Sequence, residues 1–236
     1  LLNGDDAMLR NLPRKPEQRI TYFGGDETVC AVRCGNVQEE NGTLKFDVYV
    51  GNQCFPVEMA LEGRHFVADA MAAIAVALEL NVSPVRIQES LSMFRNMAGR
   101  QEICEVNGYT IISDCYNAGP ESMAAALKVL GARSGRRIAV LGDMLELGRA
   151  TEQAHLDTGR AAAQNADLLL TYGPNGLFVS RGAQDAGMNR EYIFTFQDRA
   201  QMAEKLRSVC VPGDVLLIKG SHGMHMELVL EQFLQN

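Results

Sequence analysis

The sequence predicts an α/β fold in two parts, with short antiparallel strands plus helices in the first part and a mainly parallel sheet in the second. Two observations lead to this prediction. Three strand-like runs in the first part are separated only by turn residues, which is typical of antiparallel pairing. In the second part, apolar runs alternate regularly with helix-forming segments, which is typical of parallel strands joined by helices. The chain has 236 residues, 47% of them hydrophobic, which is enough for a core in each part.

The first part is predicted to contain an antiparallel meander followed by two helices. Its strands are Thr28–Arg33, Thr43–Val50 and Gln53–Met59, with turns at Gly35-Asn36 and Asn41-Gly42. Its helices are the Ala-rich Val67–Leu80 and a segment from Pro84 to about Phe94 that Ser83 caps. A hinge is expected at Asn96–Gly99, which divides the chain into domains of residues 1–98 and 99–236.

The second part is predicted to begin with a hairpin and to continue as a Rossmann-like domain. Strands Glu102–Val106 and Tyr109–Ser113 flank the two-residue turn Asn107-Gly108. The following strands are predicted at Arg137–Leu141, Leu168–Tyr172, Tyr192–Phe196 and Val215–Ile218. The helices are predicted at Pro120–Leu130, Thr151–Gln164, Gly176–Ala186, Asp198–Val209 and Met224–Phe233. Ligands bind beyond the carboxyl ends of strands in such a sheet, which makes three polar, Gly-rich loops candidates for a site: Asp114–Gly119, Gly142–Gly148 and Lys219–Gly223.

Composition and charge narrow the classes of function. The formal net charge is −7 and there is no long basic run, which argues against a nucleic-acid partner and against an anionic membrane surface. The apolar runs are too short to cross a bilayer, no signal peptide is recognisable, and the six cysteines form no C-x-x-C pair. These features favour a cytosolic protein with reduced thiols. The opening Leu1–Asp6, which has no Met, suggests a fragment of a longer protein.

The loop Asp114–Gly119, with Pro120 after it, offers groups for a nucleotide or a peptide. A carboxylate at a strand end can accept hydrogen bonds from ribose hydroxyls, and the amide of Asn117 can both donate and accept. Asp and Asn also favour turns. The same residues therefore fit a structural loop in which Asp114 accepts from backbone N–H groups.

The loop Lys219–Gly223 combines glycines with a lysine, which fits an anion-binding turn before a helix. It is not a P-loop, because that motif places Gly before Lys, and the sequence contains no G-x-x-x-x-G-K-[ST]. His222 and His225, with Glu227, have a spacing that a metal ion could use, although H-x-x-H alone is a weak pattern.

Three further groups of polar residues have both a functional and a structural explanation. Asp143 and Glu146 could hold a metal ion, position an amine or form a solvated loop edge. The solvated loop edge is favoured, because pairs of acids without a third ligand are common in sequences. Arg100 could clamp a phosphate or form an interdomain salt bridge. His65 and Asp69 could contact an adenine or a ribose, or belong to an ordinary helix start.

In their order along the chain, these motifs resemble those of the Mur ligases. The resemblance covers essentially the whole chain and rests on Gly63-Arg64-His65, Gly99-Arg100, Asp114–Pro120, Leu141–Gly148, His155 and Lys219-Gly220-Ser221. It is closest to the members that add D-alanyl-D-alanine to UDP-N-acetylmuramoyl tripeptide. It implies that residues 1–98 are the latter part of a central ATP-binding domain and residues 99–236 a C-terminal Rossmann-like ligase domain.

The resemblance implies an ATP-dependent, cytoplasmic amide-bond ligase of peptidoglycan precursor synthesis. In the family, the substrate carboxylate attacks the γ-phosphate of ATP to give an acyl phosphate, and the amine of D-Ala-D-Ala then displaces phosphate. The small-molecule substrates are expected to be ATP, UDP-N-acetylmuramoyl tripeptide and D-Ala-D-Ala, and the enzyme is expected to be a monomer. The P-loop and the Mg²⁺ ligands would precede this chain, which would hold no complete catalytic set and no metal site and would be inactive alone.

The resemblance also assigns site residues. The positions matched to ATP are His65, Asp69, Arg100, Asp114, Tyr116 and Asn117. The positions matched to the acceptor substrate are Asn117, Lys219, Ser221 and His222. Four positions depart from the family pattern, because Asn is usual where this chain has Phe66, Asp69 and Gly119, and Arg is usual where it has His222. A histidine holds a carboxylate more weakly than an arginine does, and in a pH-dependent way.

Three alternatives remain open at this point. Another amide ligase of the family, such as the folylpolyglutamate or cyanophycin type, would share the fold and differ in its substrates. A noncatalytic nucleotide- or peptide-binding module would explain the departures at Phe66, Gly119 and His222 as lost chemistry. A metal protein that uses His222 and His225 is the third.

Overall fold

The computed structural model describes residues 1–40, 42–97 and 99–235, and the chain forms two compact units. The first unit comprises Leu1–Arg95 and the second Asn96–Asn236. The predicted hinge at Asn96–Gly99 and the predicted turn at Asn41-Gly42 each include a residue that lies outside the described ranges. Within these ranges, no helix combines the length and the apolar character that crossing a bilayer requires. None of the six cysteines is in a disulfide.

The first unit contains a mixed sheet and three helices in its described part. The strands are β1 (Leu2–Asn3), β2 (Tyr22–Gly24), β3 (Val32–Glu40), β4 (Thr43–Val50) and β5 (Gln53–Met59). The helices are α1 (Ala7–Arg10), α2 (Phe66–Glu79) and α3 (Pro84–Ser92). The strands pair in chain order, β1 to β3 in parallel and β3 to β5 antiparallel.

The predicted meander is confirmed for β4 and β5, whereas the prediction for the first strand is wrong. The sequence predicts a strand at Thr28–Arg33 and a turn at Gly35-Asn36, but β3 begins at Val32 and continues through that turn. The register of β3 against β4 shifts between Gly35 and Gln38, and Asn36 has a φ of 52°, which identifies a β-bulge. Gly and Asn tolerate positive φ both in β-bulges and in turns. The pair Gly35-Asn36 is therefore compatible with either structure, and the sequence alone does not distinguish a turn from a bulge here.

The core of the first unit lies between the sheet and α2. Leu44, Phe46 and Val48 alternate along β4 and are buried in one cluster with Met71 and Ile74 of α2. The strand period of two and the helix period of 3.6 thus place their apolar residues on facing surfaces. Burial of each such side chain contributes about 1.5–3 kcal/mol relative to exposure.

The second unit has the predicted Rossmann-like fold with a mainly parallel sheet. Its strands are β6 (Glu102–Val106), β7 (Tyr109–Asp114), β8 (Arg137–Gly142), β9 (Leu168–Tyr172), β10 (Ile193–Phe196) and β11 (Val215–Lys219). Its helices are α4 (Pro120–Gly131), α5 (Thr151–Asn165), α6 (Gly176–Asp185), α7 (Arg199–Val209) and α8 (Glu227–Leu234). Among the described residues the strand order is β10-β9-β8-β11-β7-β6, and only β6 is antiparallel to its neighbour.

The two ends of this unit differ in how well the sequence predicts them. The hairpin turn is as expected, because Asn107 and Gly108 both have positive φ, at 52° and 82°, as a type I′ turn requires. The last helix begins later than the predicted Met224. A 3₁₀ turn at His222–Met224 and a left-handed residue, His225, come before α8.

Strand β11 lies at the centre of the sheet and is buried on both faces. Leu217 packs against Leu127 of α4 in one apolar cluster, whereas Leu216 and Ile218 pack with Val229 of α8 in another. A parallel strand covered by helices on both sides has no solvent-facing positions, which explains its unbroken apolar run. Lys219, the polar residue at the carboxyl end of β11, is therefore buried as well.

Helices α5 and α6 approach closely at two glycines. A Cβ atom added to Gly159 would overlap the carbonyl oxygen of Val179, and one added to Gly182 would overlap that of Leu156. Each helix therefore presents a glycine to the backbone of the other. Larger residues at these positions require the helices to move apart.

Candidate functional site

The three candidate loops lie next to one another at the carboxyl edge of the sheet in the second unit. β11 lies between β7 and β8 and runs parallel to both. The loops that follow these three strands therefore meet at one edge, which is where open α/β sheets bind ligands.

Lys219 and Asp114 form a largely buried ion pair at this edge. They end β11 and β7 and are register partners in the sheet. Nζ of Lys219 lies 2.6 Å from Oδ2 of Asp114 and also donates to the carbonyl oxygen of Asn117 at 2.9 Å. The side chains of Lys219 and Asp114 are 2% and 15% exposed. Low exposure strengthens the attraction between the charges but adds a desolvation cost.

The segment Gly99–Gln101 is hydrogen-bonded to the end of β7 and to the loop that follows it. Oδ1 of Asp114 accepts from the backbone N–H of Gln101 at 3.1 Å, and the N–H of Tyr116 donates to the carbonyl oxygen of Gly99 at 3.0 Å. Asp114 thus accepts a hydrogen bond from a backbone N–H group, as its structural explanation predicts. A contact between Asp114 and a ribose hydroxyl stays a prediction. The sequence did not single out Gln101, and nothing in its side-chain type indicates its left-handed backbone, with a φ of 46°.

Arg100, Tyr116, His222 and His225 form a row of exposed side chains in this unit. The guanidinium carbon of Arg100 lies 4.0 Å from the ring centroid of Tyr116. The ring centroids of Tyr116 and His222 are 5.9 Å apart, as are those of His222 and His225. A guanidinium over an aromatic face is attracted by about 0.5–1 kcal/mol at an exposed site. The row thus presents aromatic and cationic groups to solvent beside the buried ion pair.

Ser221 is buried and connects the two neighbouring loops. Its N–H donates to the carbonyl oxygen of Asp143 at 3.0 Å, and its Oγ accepts from the N–H of Leu145 at 2.9 Å. Its hydroxyl donates to the carbonyl oxygen of Ala118 at 3.3 Å. These bonds join the loops after β7, β8 and β11. The expected contact of Ser221 with a substrate stays a prediction.

Some of the amides in and after the turn that follows β11 are already used within the protein. The N–H groups of Ser221, Met224 and His225 each donate to a protein carbonyl, so these three are not available to an anion, and the anion-binding role of the turn stays a prediction. Gly220 has a different role, because a Cβ atom there would lie 3.1 Å from Cα of Gly142 and 2.7 Å from a side-chain carbon of Met226. The glycine lets the loops after β11 and β8 approach each other.

Asn117 and Gly119 remain accessible to a ligand. Oδ1 of Asn117 accepts from the N–H of Ala118 at 2.8 Å, while its amide nitrogen has no partner among the residues the structure describes. Gly119 has extended backbone, and a Cβ atom there would meet nothing within 4 Å. Space therefore does not explain why this chain has Gly where Asn is usual in the resemblance.

Cys115 lies inside the candidate loop but is not available as a nucleophile. Its side chain is buried, and its Sγ donates to the carbonyl oxygen of Ile218 at 3.4 Å. Burial raises the pKa of Cys115 to about 11, so its thiol stays protonated at neutral pH.

Asp143 is not the solvated loop edge that the sequence favours. It is 1% exposed, and its Oδ2 accepts from the backbone N–H and the side-chain amide of Asn175 at 3.0 Å and 2.9 Å. Its Oδ1 has no hydrogen-bond partner in the described part of the chain. Burial raises the pKa of Asp143, and the hydrogen bonds from Asn175 act in the opposite direction. Glu146, three residues on, is exposed, so the two acids do not form a pair.

His155 holds the same loop from the side of α5. Its Nε2 accepts from the N–H of Met144 at 3.0 Å, and its Nδ1 donates to the carbonyl oxygen of Thr151 at 2.6 Å. With one nitrogen donating and the other accepting, the ring is neutral. Its 3.9 Å contact with Oδ1 of Asp143 is therefore not an ion pair. His155 thus holds the backbone of the loop Gly142–Gly148 in place against the start of α5.

The two candidates of the first unit, His65 and Asp69, lie at the start of α2. Both are exposed, and Asp69 is in the first turn, where a carboxylate interacts favourably with the helix dipole. The His65 ring packs against Phe66 with centroids 4.2 Å apart, and its side chain makes no capping hydrogen bond to the helix. Their contact with a nucleotide stays a prediction.

The arrangement of His222, His225 and Glu227 does not support the metal-protein alternative. Nδ1 of His225 lies 3.0 Å from Oε1 of Glu227, while the two histidine rings are tilted by 55°. Over the described ranges, no group of three or more His, Cys, Asp and Glu side chains is placed to hold a metal ion.

Comparison with known proteins gives a family match in the second unit. Residues 99–222 match a family model described as "Mur ligase, glutamate ligase domain". The crystal structure of MurF from Acinetobacter baumannii superimposes with a TM-score of 0.81 and 27% sequence identity, covering 92% of this chain and 47% of that one.

Two relatives extend the match to nearly the whole chain. The UDP-N-acetylmuramoyl-tripeptide--D-alanyl-D-alanine ligase of Bacillus subtilis is 31% identical over 99% of this chain and 50% of its own length. The UDP-N-acetylmuramate--L-alanine ligase of Dechloromonas aromatica is 38% identical over 92% of this chain and 50% of its own length. The chain spans about half the length of the curated relatives it matches.

Proposed function

The chain belongs to the Mur ligase family, and from this membership we propose that it supplies part of an ATP-dependent ligase that adds D-alanyl-D-alanine to UDP-N-acetylmuramoyl tripeptide in peptidoglycan synthesis. The similarity to the Bacillus subtilis enzyme over 99% of this chain supports that choice of substrates. The activity is proposed for a longer protein that contains this chain, because the matched relatives are about twice as long. We expect the chain alone to be inactive.

On the nucleotide side, we assign Arg100, Asp114 and Tyr116 to ATP. Arg100 is exposed and carries a permanent charge with five N–H donors, which suits phosphate oxygens. Asp114 keeps some exposed surface and is an acceptor for ribose hydroxyls. These side chains fit part of a nucleotide. The contact of His65 and Asp69 with a nucleotide stays a prediction, and we expect the Mg²⁺ that accompanies ATP to be held mainly by residues of the longer protein together with phosphate oxygens.

On the acceptor side, we assign Asn117 and His222. The amide nitrogen of Asn117 is available as a donor, and His222 offers an imidazole to the dipeptide carboxylate. Bound ATP supplies the phosphoryl group that activates the tripeptide carboxylate. The residues of this chain then have two tasks, which are to orient the attacking amine and to stabilise negative charge with Arg100.

One observation supports this proposal: five side chains lie at the carboxyl edge of one sheet, Asp114 at the end of β7 and Arg100, Tyr116, Asn117 and His222 in the adjoining loops. The test is phosphate release by the full-length protein with ATP, Mg²⁺, UDP-N-acetylmuramoyl tripeptide and D-Ala-D-Ala. Release that requires the dipeptide supports the proposal. Asp114→Ala should reduce it severely, whereas Asp185→Ala, at an exposed aspartate ending α6, should not.

The Dechloromonas relative favours a second candidate, a ligase that adds L-alanine to UDP-N-acetylmuramate, because its identity is higher, at 38%. The same assay separates the two. Release with UDP-N-acetylmuramate and L-alanine, and none with the tripeptide and dipeptide, would select the second candidate. Release with neither pair, although ATP binds, would indicate a ligase for another substrate or a binding module.

A further inference from the structure

Lys219 is buried although its position is matched to a substrate. It is among the largest fully buried side chains of the chain. Its ammonium group has three donors, and two of them point to Asp114 and to the carbonyl oxygen of Asn117. The charge of Lys219 is offset by the Asp114 carboxylate at 2.6 Å. A substrate carboxylate would have to compete with Asp114 for a group that solvent hardly reaches.

Ser221 is buried in the same turn and is similarly committed. Its single hydroxyl proton points to the carbonyl oxygen of Ala118, and its oxygen accepts from the N–H of Leu145. The next residue, His222, is exposed and lies in the row with Tyr116. Burial therefore separates the residues of this turn into those that face protein and those that face solvent.

We infer that Lys219 and Ser221 are positioning residues, which hold the loops after β7 and β8 in place and do not contact the acceptor. Lys219 fixes the Asp114 carboxylate and the backbone of Asn117, and Ser221 joins Ala118 to Leu145. The inference rests on the proposed function, because these loops carry the residues assigned to ATP and to the acceptor. Exposed His222 is then the residue of this turn that touches the ligand.

The first test measures amide hydrogen exchange in the full-length protein without any ligand. Ser221→Ala removes the acceptor of the Leu145 N–H, so exchange at Leu145 should become faster by roughly 2- to 10-fold. Ser221→Thr keeps a hydroxyl and should restore the protection. Ser208→Ala, at an exposed serine near the end of α7, is the matched control and should leave Leu145 unchanged.

The same measurement applies to Lys219. In Lys219→Met, Asp114 loses its counterion, and exchange at the Gln101 amide that donates to Asp114 should become faster. Lys128→Met, at an exposed lysine of α4, is the control. If Lys219→Met does not fold, the Ser221 variants decide the inference by themselves.

The second test separates positioning from contact by kinetics. If Ser221 positions both loops, Ser221→Ala should lower kcat/KM for ATP and for D-Ala-D-Ala alike, by on the order of 10-fold, and Ser221→Thr should recover part of the loss. A rise in KM for D-Ala-D-Ala alone, with exchange at Leu145 unchanged, would overturn the inference. If the protein ligates no tested substrate, the proposed function fails, and the exchange result still decides this inference.

Discussion

The guanidinium of Arg100 lies 4.0 Å from the ring of Tyr116, and the backbone beside each residue is joined as well, because the Tyr116 N–H donates to the Gly99 carbonyl oxygen. The ring thus restrains the Arg100 side chain, which is long, exposed and otherwise has much rotamer entropy to lose, while the backbone bond holds the preceding residue next to Tyr116. The aromatic ring stabilises one orientation of the cation before any phosphate arrives.

This contact predicts a graded response at Tyr116 in the full-length protein. Tyr116→Phe keeps the ring under Arg100 and should retain most of kcat/KM for ATP. Tyr116→Ala removes the ring and should lower kcat/KM for ATP by roughly 2- to 5-fold, since about 0.5–1 kcal/mol of attraction that orients Arg100 is lost. Steady-state kinetics with varied ATP provides the measurement. Equal losses in both variants would indicate that the hydroxyl, and not the ring, is what matters.

The ion pair of Lys219 and Asp114 should show strong energetic coupling. Lys219→Met leaves a carboxylate largely out of water and should lower the free energy of unfolding by about 3 kcal/mol, toward the low end for buried pairs because Asp114 is 15% exposed. Asp114→Asn in the same protein should make the lysine substitution less costly. A double-mutant cycle by urea unfolding measures the coupling. The exposed pair of Asp157 and Arg160 is the control, where little coupling is expected.

Asp143 should make stability depend on pH in a recognisable direction. Its pKa is raised by burial, so the folded state binds a proton more readily than the unfolded state does. The wild-type protein should therefore gain stability relative to Asp143→Asn as the pH falls through the interval above the ordinary value of 3.8. Unfolding experiments at several pH values from about 7 to about 4 give the difference, which cancels shared titrations. A constant difference would show that Asp143 has an ordinary pKa.

His222 should contribute to binding of the acceptor. An arginine carries a permanent charge and a fork of N–H donors that suits a carboxylate, so the KM for D-Ala-D-Ala should be lower in His222→Arg and higher in His222→Ala. Steady-state kinetics with varied D-Ala-D-Ala provides the measurement. His225→Ala tests whether the neighbouring ring, 5.9 Å away, is responsible instead. A KM that stays at the wild-type value in both His222 variants would remove His222 from the acceptor site.

The close approach of α5 and α6 should make Gly159 intolerant of any side chain. Gly159→Ala forces the helices apart and should destabilise the protein by roughly 1–3 kcal/mol, despite the better helix propensity of alanine. Gly119→Ala is the control, because its Cβ would meet nothing within 4 Å. Thermal unfolding of both variants provides the comparison. Equal midpoints would mean that the helices can separate at no cost.

The regular elements were predictable because their signals are local. β4 alternates apolar and polar residues, and β9 is a short apolar run between a helix and a turn, so both were placed to the residue. β1 and β2 have two and three residues, too few for any period to appear. Gly35-Asn36 permits a turn or a bulge, and only the pairing of β3 with β4 decides between them.

The candidate site was predictable as a set of loops but not as a set of contacts. The positions of Asp114 and Lys219 at strand ends follow from the strand pattern, whereas their pairing depends on β11 lying between β7 and β8. Asp143 and Glu146 are both acidic residues of one loop, and the local sequence does not distinguish them. In the structure Asp143 is buried and accepts hydrogen bonds from the backbone and side-chain amides of Asn175, whereas Glu146 is exposed. Distant elements determine such surroundings, and no local pattern encodes them.

The position of β11 has a consequence for how the domain is made. β7 and β8 leave the ribosome before β11, and their facing edges stay unpaired until β11 arrives, because Asp114 and Lys219 are 105 positions apart. The nascent sheet therefore contains a slot about 10 Å wide, which only one later strand fills. Entry of that strand completes the backbone ladder and delivers the counterion of Asp114, and α8, which follows β11 in the chain, then covers the face that carries Leu216 and Ile218. The ion pair therefore forms late in synthesis, and a chain stalled before β11 exposes two open edges to any passing strand.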